Sequence, residues 1–139
     1  MRLLNLYEIR NSYIGGNGKK SISGGQKKRV AIGIELISNP LCLILDEPTS
    51  GLDSSNSFRI IKLLSKLAKQ ENKLIIATIH QPSTLMFQNF DKLMVLHKGK
   101  QVYYDEASKI VNYMESLNIN VDYRMNPVDF LMLEISSFK

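Results

Sequence analysis

The chain of 139 residues contains a single cysteine, Cys42. No disulfide can therefore form within it, which is typical of proteins from a reducing compartment such as the cytosol. Cys42 stands in an apolar run, so we expect a small buried hydrophobic residue rather than a reactive thiol.

Long apolar segments are also lacking. No stretch approaches the roughly 18 apolar residues that a membrane-spanning helix needs. Arg2, Glu8 and Arg10 interrupt the short apolar stretch at the N-terminus, which therefore does not resemble a signal peptide. If the protein serves a membrane, we expect it to do so through a partner or through a part of the polypeptide outside this sequence.

Neither sign of charge dominates. The sequence has 18 Lys and Arg against 13 Asp and Glu, a formal net charge of +5. This excess suits anionic partners such as nucleotides, nucleic acid or a cytoplasmic membrane face. A solvated surface with a few additional lysines is the simpler interpretation.

The apolar pattern predicts one α/β domain with a mostly parallel sheet flanked by helices, followed by a hairpin and further helices. Apolar runs at 41–45 and 74–79 predict buried strands. The helical pattern between them makes a right-handed crossover, which leaves the two strands parallel. Runs at 93–96 and 101–104, separated by a glycine turn, predict the hairpin.

Helices are predicted where apolar residues recur at helical spacing and capping residues precede them. Residues 3–9 are predicted to be the end of a helix, with Leu3, Leu6 and Tyr7 on its apolar face, and 26–38 a helix with Val30, Ala31, Ile34 and Ile37 on that face. A third helix is capped by Ser54 or Ser55 and has Phe58, Ile61, Leu64, Leu67 and Ala68 on its apolar face, and a fourth is capped by Asp105 and has Ala107, Ile110, Val111, Met114 and Leu117 there. The last helix is predicted at 127–136, with Asn126 as cap and Pro127 in the first position.

Ionisable residues follow both predicted parallel strands. Asp46 and Glu47 come directly after the first strand, and His80 follows the second. Because ligands bind beyond the carboxyl ends of parallel strands, we expect these groups to converge on one edge of the sheet. One carboxylate can hold a hydrated magnesium ion, and the other can orient or deprotonate an attacking water. A loop cap and a structural histidine are the alternative interpretation.

A second candidate site precedes the helix at 26–38. The residues Ser23, Gly24, Gly25 and Gln26 lead directly into it. Glycines let the backbone approach a ligand, and the first N–H groups of a helix form a site for anions. A simple helix cap with flexible glycines is the alternative.

These stretches resemble motifs of the nucleotide-binding domain of ABC transporters, and their order and separation match as well. The segment 22–29 (ISGGQKKR) is similar to the signature motif, 41–53 (LCLILDEPTSGLD) to Walker B running into the D-loop, and 78–82 (TIHQP) to the His-loop. The segments 27–29, 79–83 and 126–130, together with Gly51, resemble the G (White-type) subfamily. The resemblance implies a P-loop NTPase fold of the ABC ATPase type.

The segment 15–21 (GGNGKKS) resembles a P-loop but lacks its pattern. Tyr13 stands where the first glycine is required, and Lys20 where Ser or Thr is required. We therefore interpret it as a loop. Without a Walker A sequence, a Q-loop or a membrane domain, the chain corresponds to the C-terminal half to two-thirds of one nucleotide-binding domain. We expect a truncated product, a gene-model fragment or one piece of a split protein.

The resemblance implies a role for each matching residue, with ATP and Mg²⁺ as cofactors. Asp46 would contact magnesium through water, Glu47 would be the general base, and His80 would contact the γ-phosphate. The signature residues Ser23, Gly24, Gly25 and Gln26 would bind the nucleotide held by the opposite subunit, and Asp53 would couple the two sites across the dimer.

The implied partners are a second nucleotide-binding domain, in a homo- or heterodimer, and a transmembrane domain, which place the chain at the cytoplasmic face of a membrane. The function implied is ATP hydrolysis that powers transport. The alternative is a non-catalytic module that supplies only the signature side of a composite ATP site, or a vestigial fragment. Nucleic-acid binding through the lysine clusters at 19–20 and 27–29 is not expected, since no aromatic residues are interleaved with them.

Overall fold

The computed structural model describes residues 3–15 and 21–137, and the chain divides into two compact units, Met1–His80 and Gln81–Lys139. We call them the first and second unit. The segment 15–21, interpreted above as a loop, lies largely outside the described residues. The predicted α/β class is confirmed, and the strands that the structure describes form one parallel and one antiparallel pair.

The first unit contains the predicted strand–helix–strand crossover. Its elements are helix α1 (Gly24–Glu35) with a 3₁₀ turn at Leu36–Ser38, strand β1 (Cys42–Leu45), helix α2 (Ser54–Gln70) and strand β2 (Leu74–Ala77). Strands β1 and β2 are parallel, with Cys42 opposite Leu74 and Leu45 opposite Ala77. Both strands therefore end at the same edge of the sheet.

Helix α2 begins one residue earlier than predicted, because Asp53 rather than Ser54 or Ser55 is its cap. An Asp at this position accepts hydrogen bonds from the first free N–H groups of the helix. The predicted apolar stripe is confirmed at its centre, where Ile61, Leu64 and Leu67 are buried.

The prediction that β1 is buried on both faces is wrong. Leu43 is buried, but Ile44 is 75% exposed, and Cys42 is exposed instead of buried. Side chains alternate along a strand, so Cys42 and Ile44 share one face with their partners Leu74 and Ile76, which are also exposed. We call these four residues the open sheet face. A parallel sheet buries both faces only when helices cover both, and the described residues leave this face uncovered.

The side of helix α1 that is buried within the first unit differs from the predicted one. Ile32 is buried, whereas Ile34 and Ile37 are largely exposed. The physical reason is Gly33: a Cβ placed there would lie 2.7 Å from Cδ1 of Leu4, so the helix and Leu4 approach closely at this glycine. The predicted helix end at 3–9 is also wrong, since those residues form turns that bury Leu4 and leave Tyr7 half exposed.

The second unit is built on the predicted hairpin. Its elements are a short helix α3 (Thr84–Phe87), strands β3 (Lys92–His97) and β4 (Lys100–Glu106), a 3₁₀ turn at Ala107–Lys109, and helices α4 (Ile110–Ser116) and α5 (Pro127–Ser137). The strands are antiparallel, and Lys98 and Gly99 both have a positive φ, as the tight turn between twisted strands requires.

A single core closes this unit. It contains Val95, Tyr103, Ile110, Met114, Val121, Val128 and Leu131. The predicted cap at Asn126 is confirmed, because its Oδ1 accepts from the N–H of Val128 at 2.9 Å. The predicted cap at Asp105 is wrong: β4 continues to Glu106, whose own N–H donates to Asp105 Oδ1 at 2.7 Å. Leu117, predicted on the core face, is half exposed because it follows the last turn of α4.

Within the part of the chain that the structure describes, no helix combines the length and the apolar character needed to cross a membrane.

Candidate functional site

The ends of β1 and β2 meet in a small hydrogen-bonded cluster. The hydroxyl of Thr78 donates to Oδ1 of Asp46 at 2.6 Å. The backbone N–H of Glu47 donates to the same hydroxyl oxygen at 2.8 Å. The backbone N–H of Thr78 donates to the carbonyl of Leu45 at 3.0 Å, which extends the parallel ladder to this residue. The two acidic residues are therefore joined to the neighbouring strand through one threonine.

Glu47 has an unusual backbone. Its φ is +43°, in the left-handed region that non-glycine residues rarely occupy. Its carbonyl accepts from the N–H of Ser50 at 3.1 Å and from Nζ of Lys28 at 3.4 Å. Such conformations persist where the surroundings hold them, and they are common at functional sites.

The structure places Asp46, Glu47 and His80 at the same edge of the sheet, beyond the ends of β1 and β2. The side chains of Asp46, Glu47 and His80 are all exposed to solvent. His80 stands two residues beyond Thr78, at the end of the first unit. This edge of the sheet is therefore open to a ligand.

The signature segment is held by a reciprocal cap. The N–H of Gln26 donates to Oγ of Ser23 at 3.3 Å, and the N–H of Ser23 donates to Oε1 of Gln26 at 2.7 Å. The helix-cap interpretation therefore describes these two side chains correctly. Ser23 and Gly24 remain exposed at the start of the 12-residue helix α1, where free N–H groups and the helix dipole favour an anion.

Asp53 and the signature segment meet through Asn56. The carboxylate of Asp53 accepts from the backbone N–H of Asn56 at 2.9 Å and from its side-chain Nδ2 at 2.6 Å. These hydrogen bonds, that of the backbone N–H first, hold the pKa of Asp53 below its usual value. Asn56 also packs closely against Gly25 of the signature segment, where an added Cβ would lie 2.9 Å from Oδ1 of Asn56.

Two of these residues, Thr78 and Asn56, were missed as site residues by sequence reasoning. Thr78 was recognised only as part of a motif, and Asn56 only as a position in a helix. The partners of Thr78 lie 32 and 31 residues away in the chain, and Asn56 reaches the distant Gly25 from the local cap at Asp53, so no local pattern marks either contact.

The basic cluster at 27–29 is only partly a solvated surface. Arg29 is half-buried, and its Nε is enclosed without a hydrogen-bond partner among the described residues. Burial, and secondarily the nearby Arg59, lowers the pKa of Arg29. Lys28 reaches the backbone of Glu47 as noted above. Two of the three cations are thus engaged within the first unit.

The carboxylates fit magnesium better than an all-protein metal site. Among residues 3–15 and 21–137, no three His, Cys, Asp or Glu side chains are grouped closely enough to hold a metal. Magnesium usually takes one or two carboxylates and completes its shell with water and substrate phosphates. Oδ1 of Asp46 receives the Thr78 hydroxyl, so Oδ2 is the oxygen suited to such an ion.

Two family models match different parts of the chain. Residues 1–50 match the family described as "ABC transporter", and residues 80–136 match the family described as "ABC-2 type transporter". The chain is 45% identical to ABC transporter G family member 14 of Arabidopsis thaliana over 93% of its own length. It spans only 20% of the length of that relative.

Solved structures with a similar fold are ATP-binding cassettes. One, an ATP-binding cassette of an ABC transporter, has a TM-score of 0.65 and 22% identity, and the match covers 87% of this chain and 47% of that one. Another is a dimeric, post-hydrolysis ATP-binding cassette bound to ADP and Pi, with a TM-score of 0.57 and 28% identity, covering 76% and 43%.

Proposed function

Because the chain belongs to the ABC transporter family and is similar to its G-type members, we propose that it binds and hydrolyses Mg-ATP as part of the ATPase module of a G-type transporter. Hydrolysis in that module powers movement of a substrate across a membrane. One observation supports this most strongly: the carboxylate of Asp46 and the backbone N–H of Glu47, at the end of β1, are both hydrogen-bonded to Thr78 at the end of β2, on an edge of the sheet that is open to a ligand.

The proposed roles are those that the resemblance implies, and the position of each group supports them. Asp46 offers Oδ2 to a hydrated magnesium ion, which when bound neutralises charge on the phosphates. Glu47 is the general base that accepts a proton from the attacking water. His80 lies at the same end of the sheet and contacts the γ-phosphate.

The signature segment acts on a nucleotide held elsewhere. Gly24 and Gly25 are the first residues of α1, where the N–H groups suit a γ-phosphate. The exposed Ser23 adds its hydroxyl, because its N–H is taken by Gln26. Gln26 acts through Ser23, because its side chain completes the cap. Asp53 couples the two sites of a dimer, since Asn56 links it to Gly25.

The proposed partners are a second nucleotide-binding domain and a transmembrane domain. The dimeric ATP-binding cassette with a similar fold supports the first partner. The match of residues 80–136 to "ABC-2 type transporter" supports the second. In this assembly the chain works at the cytoplasmic face of the membrane.

The general base is tested in an assembled two-subunit transporter in which this chain is joined to an upstream segment with a P-loop. Glu47→Gln should retain ATP binding and lose hydrolysis by about a hundred- to ten-thousand-fold, because the amide cannot accept a proton. Asp46→Asn should weaken both magnesium-dependent ATP binding and hydrolysis. Nucleotide affinity and steady-state hydrolysis are measured for each variant. Wild-type hydrolysis in Glu47→Gln would show that Glu47 is not the base.

A second candidate function is a module that supplies only the signature side of a composite ATP site. The exposed Ser23 and Gly24 favour it. The P-loop supplies most contacts to the triphosphate, so in this case the chain alone should bind ATP weakly. Calorimetry that finds micromolar ATP affinity for the isolated chain would exclude this second function.

A further inference from the structure

We propose that Thr78 is a positioning residue that, through its single hydroxyl group, holds the carboxylate of Asp46 and the backbone of Glu47 in the ATP site. This inference rests on the proposed function. The hydroxyl donates its one hydrogen to Oδ1 of Asp46 at 2.6 Å and accepts the backbone N–H of Glu47 at 2.8 Å. A hydroxyl has one donor and two acceptor positions, so its only hydrogen is committed to Asp46.

The direction of these two bonds follows from the chemistry of the groups. A backbone N–H can only donate, so the Glu47 amide fixes the Thr78 oxygen as its acceptor. The Thr78 hydrogen then points to the carboxylate of Asp46, which accepts when ionised. Hydrogen bonds to a charged acceptor are stronger than those between neutral groups.

The backbone of Thr78 is itself held in place. Its N–H donates to the carbonyl of Leu45 at 3.0 Å, so the residue stands in register with the end of β1. Thr78 follows β2 directly, and this bond continues the strand pairing by one residue, which restrains the position of its side chain. A group placed by regular secondary structure holds its partners more narrowly than a loop residue does.

Glu47 needs such a restraint. Its φ of +43° is a conformation that a non-glycine residue adopts at some free-energy cost. The Thr78 oxygen receives the amide of this residue, and the carbonyl on the other side accepts from Ser50 and Lys28. The left-handed turn at Glu47 comes immediately after Asp46, where β1 has ended. The Thr78 hydroxyl holds the backbone nitrogen with which Glu47 begins.

The hydrogen bond from Thr78 also restrains the carboxylate of Asp46. The Thr78 hydroxyl occupies one lone pair of Oδ1 and restrains rotation of the carboxylate. Oδ2 is left available to an ion. Groups that hydrogen-bond to a metal-binding carboxylate orient it, and their loss typically lowers metal affinity by about ten- to a hundredfold.

The test compares Thr78→Val, Thr78→Ser and the control Thr84→Val in the assembled transporter described above. Valine keeps the shape of threonine without the hydroxyl, and serine keeps the hydroxyl. Thr84 is an exposed threonine at the first position of α3, in the second unit. Two quantities are measured: the exchange rate of the Glu47 amide hydrogen without nucleotide or magnesium, by mass spectrometry with residue-level fragmentation, and the magnesium concentration that half-saturates hydrolysis.

In Thr78→Val the Glu47 amide should exchange about tenfold faster, as expected for loss of one hydrogen bond. The half-saturating magnesium concentration should rise by about tenfold. Thr78→Ser should restore both values, and Thr84→Val should change neither. Should Thr78→Val fail to fold, Thr78→Ala replaces it, since alanine removes the hydroxyl without adding a methyl group against the polar cluster.

An unchanged exchange rate in Thr78→Val overturns the proposal, whatever the hydrolysis rate. Faster exchange with an unchanged magnesium requirement overturns it as well, because Asp46 would not depend on Thr78. The exchange measurement needs no catalysis. It therefore stands apart from the proposed function, which fails separately if Glu47→Gln hydrolyses ATP like the wild type.

Discussion

The two compact units of the chain bury their apolar residues in different arrangements. The second unit packs a hairpin and two helices around one core in which Ile110 and Met114 have no exposed surface. The first unit buries one side of α2, yet leaves Ile44 and the rest of the open sheet face in solvent. All the residues proposed for ATP chemistry lie in the first unit. The proposed chemistry is thus carried by the unit whose parallel sheet leaves one apolar face in solvent.

The largest expected effect comes from the closed core. Met114→Ala should lower the free energy of unfolding by about 2–5 kcal/mol, because it removes a fully buried side chain and leaves a cavity. Ile44→Ala, on the open sheet face, should change it by less than about 0.5 kcal/mol. Urea denaturation of the chain measures both. Equal effects of the two substitutions would show that the sheet face is covered in solution and would break the comparison.

A smaller effect is expected where the first unit is packed tightly. Gly25→Ala should destabilise by about 1–3 kcal/mol, since the new Cβ would overlap Asn56, which Asp53 holds in place. Gly24→Ala meets only an ordinary contact, 3.4 Å from Leu52.

The double variant Gly25→Ala/Asn56→Ala identifies the cause. Once the Asn56 side chain is removed, alanine at position 25 should cost less than in the parent chain, because alanine is the better helix former. Urea denaturation of the four combinations gives the coupling. An unaltered cost of Gly25→Ala in the Asn56→Ala background would contradict the contact.

The smallest effect concerns pH. The folded-state pKa of Asp53 is lowered, so its contribution to stability is present above the unfolded pKa and lost as the pH falls through the folded value. Stability should therefore decline below about pH 4, and less steeply in Asp53→Asn, which keeps a capping oxygen that does not titrate. Thermal denaturation between pH 2 and 7 measures this. Identical profiles for the two proteins would mean that Asp53 does not cap α2 in solution.

The sequence predicted those features that depend on neighbouring residues. The crossover, the hairpin at Lys98 and Gly99, and the start of α5 at Asn126 all follow from local spacing and turn chemistry. The exposure of Cys42 and Ile44 could not be predicted, because the sequence of an apolar strand is the same whether or not another element packs on its second face.

The candidate site shows the same division. Asp46 and Glu47 could be identified from the end of an apolar run, but Thr78 could not, since its partners are 32 and 31 residues away in the chain. The orientation of α1 was mistaken because counting apolar side chains gives no weight to Gly33, whose lack of a side chain admits Leu4. A contact that depends on a missing side chain, or on polar partners far away in the chain, leaves no periodic pattern in the sequence.

The left-handed backbone of Glu47 has a consequence for evolution. Glycine, asparagine and aspartate adopt that conformation most readily, and β-branched residues least. In a library with position 47 randomised, survival of the fold alone should enrich the first group and deplete valine, isoleucine and threonine. Under the proposed function, selection for hydrolysis returns glutamate instead. The residue that suits the backbone and the residue that suits the chemistry differ, so a lineage released from selection for hydrolysis should drift at this position early.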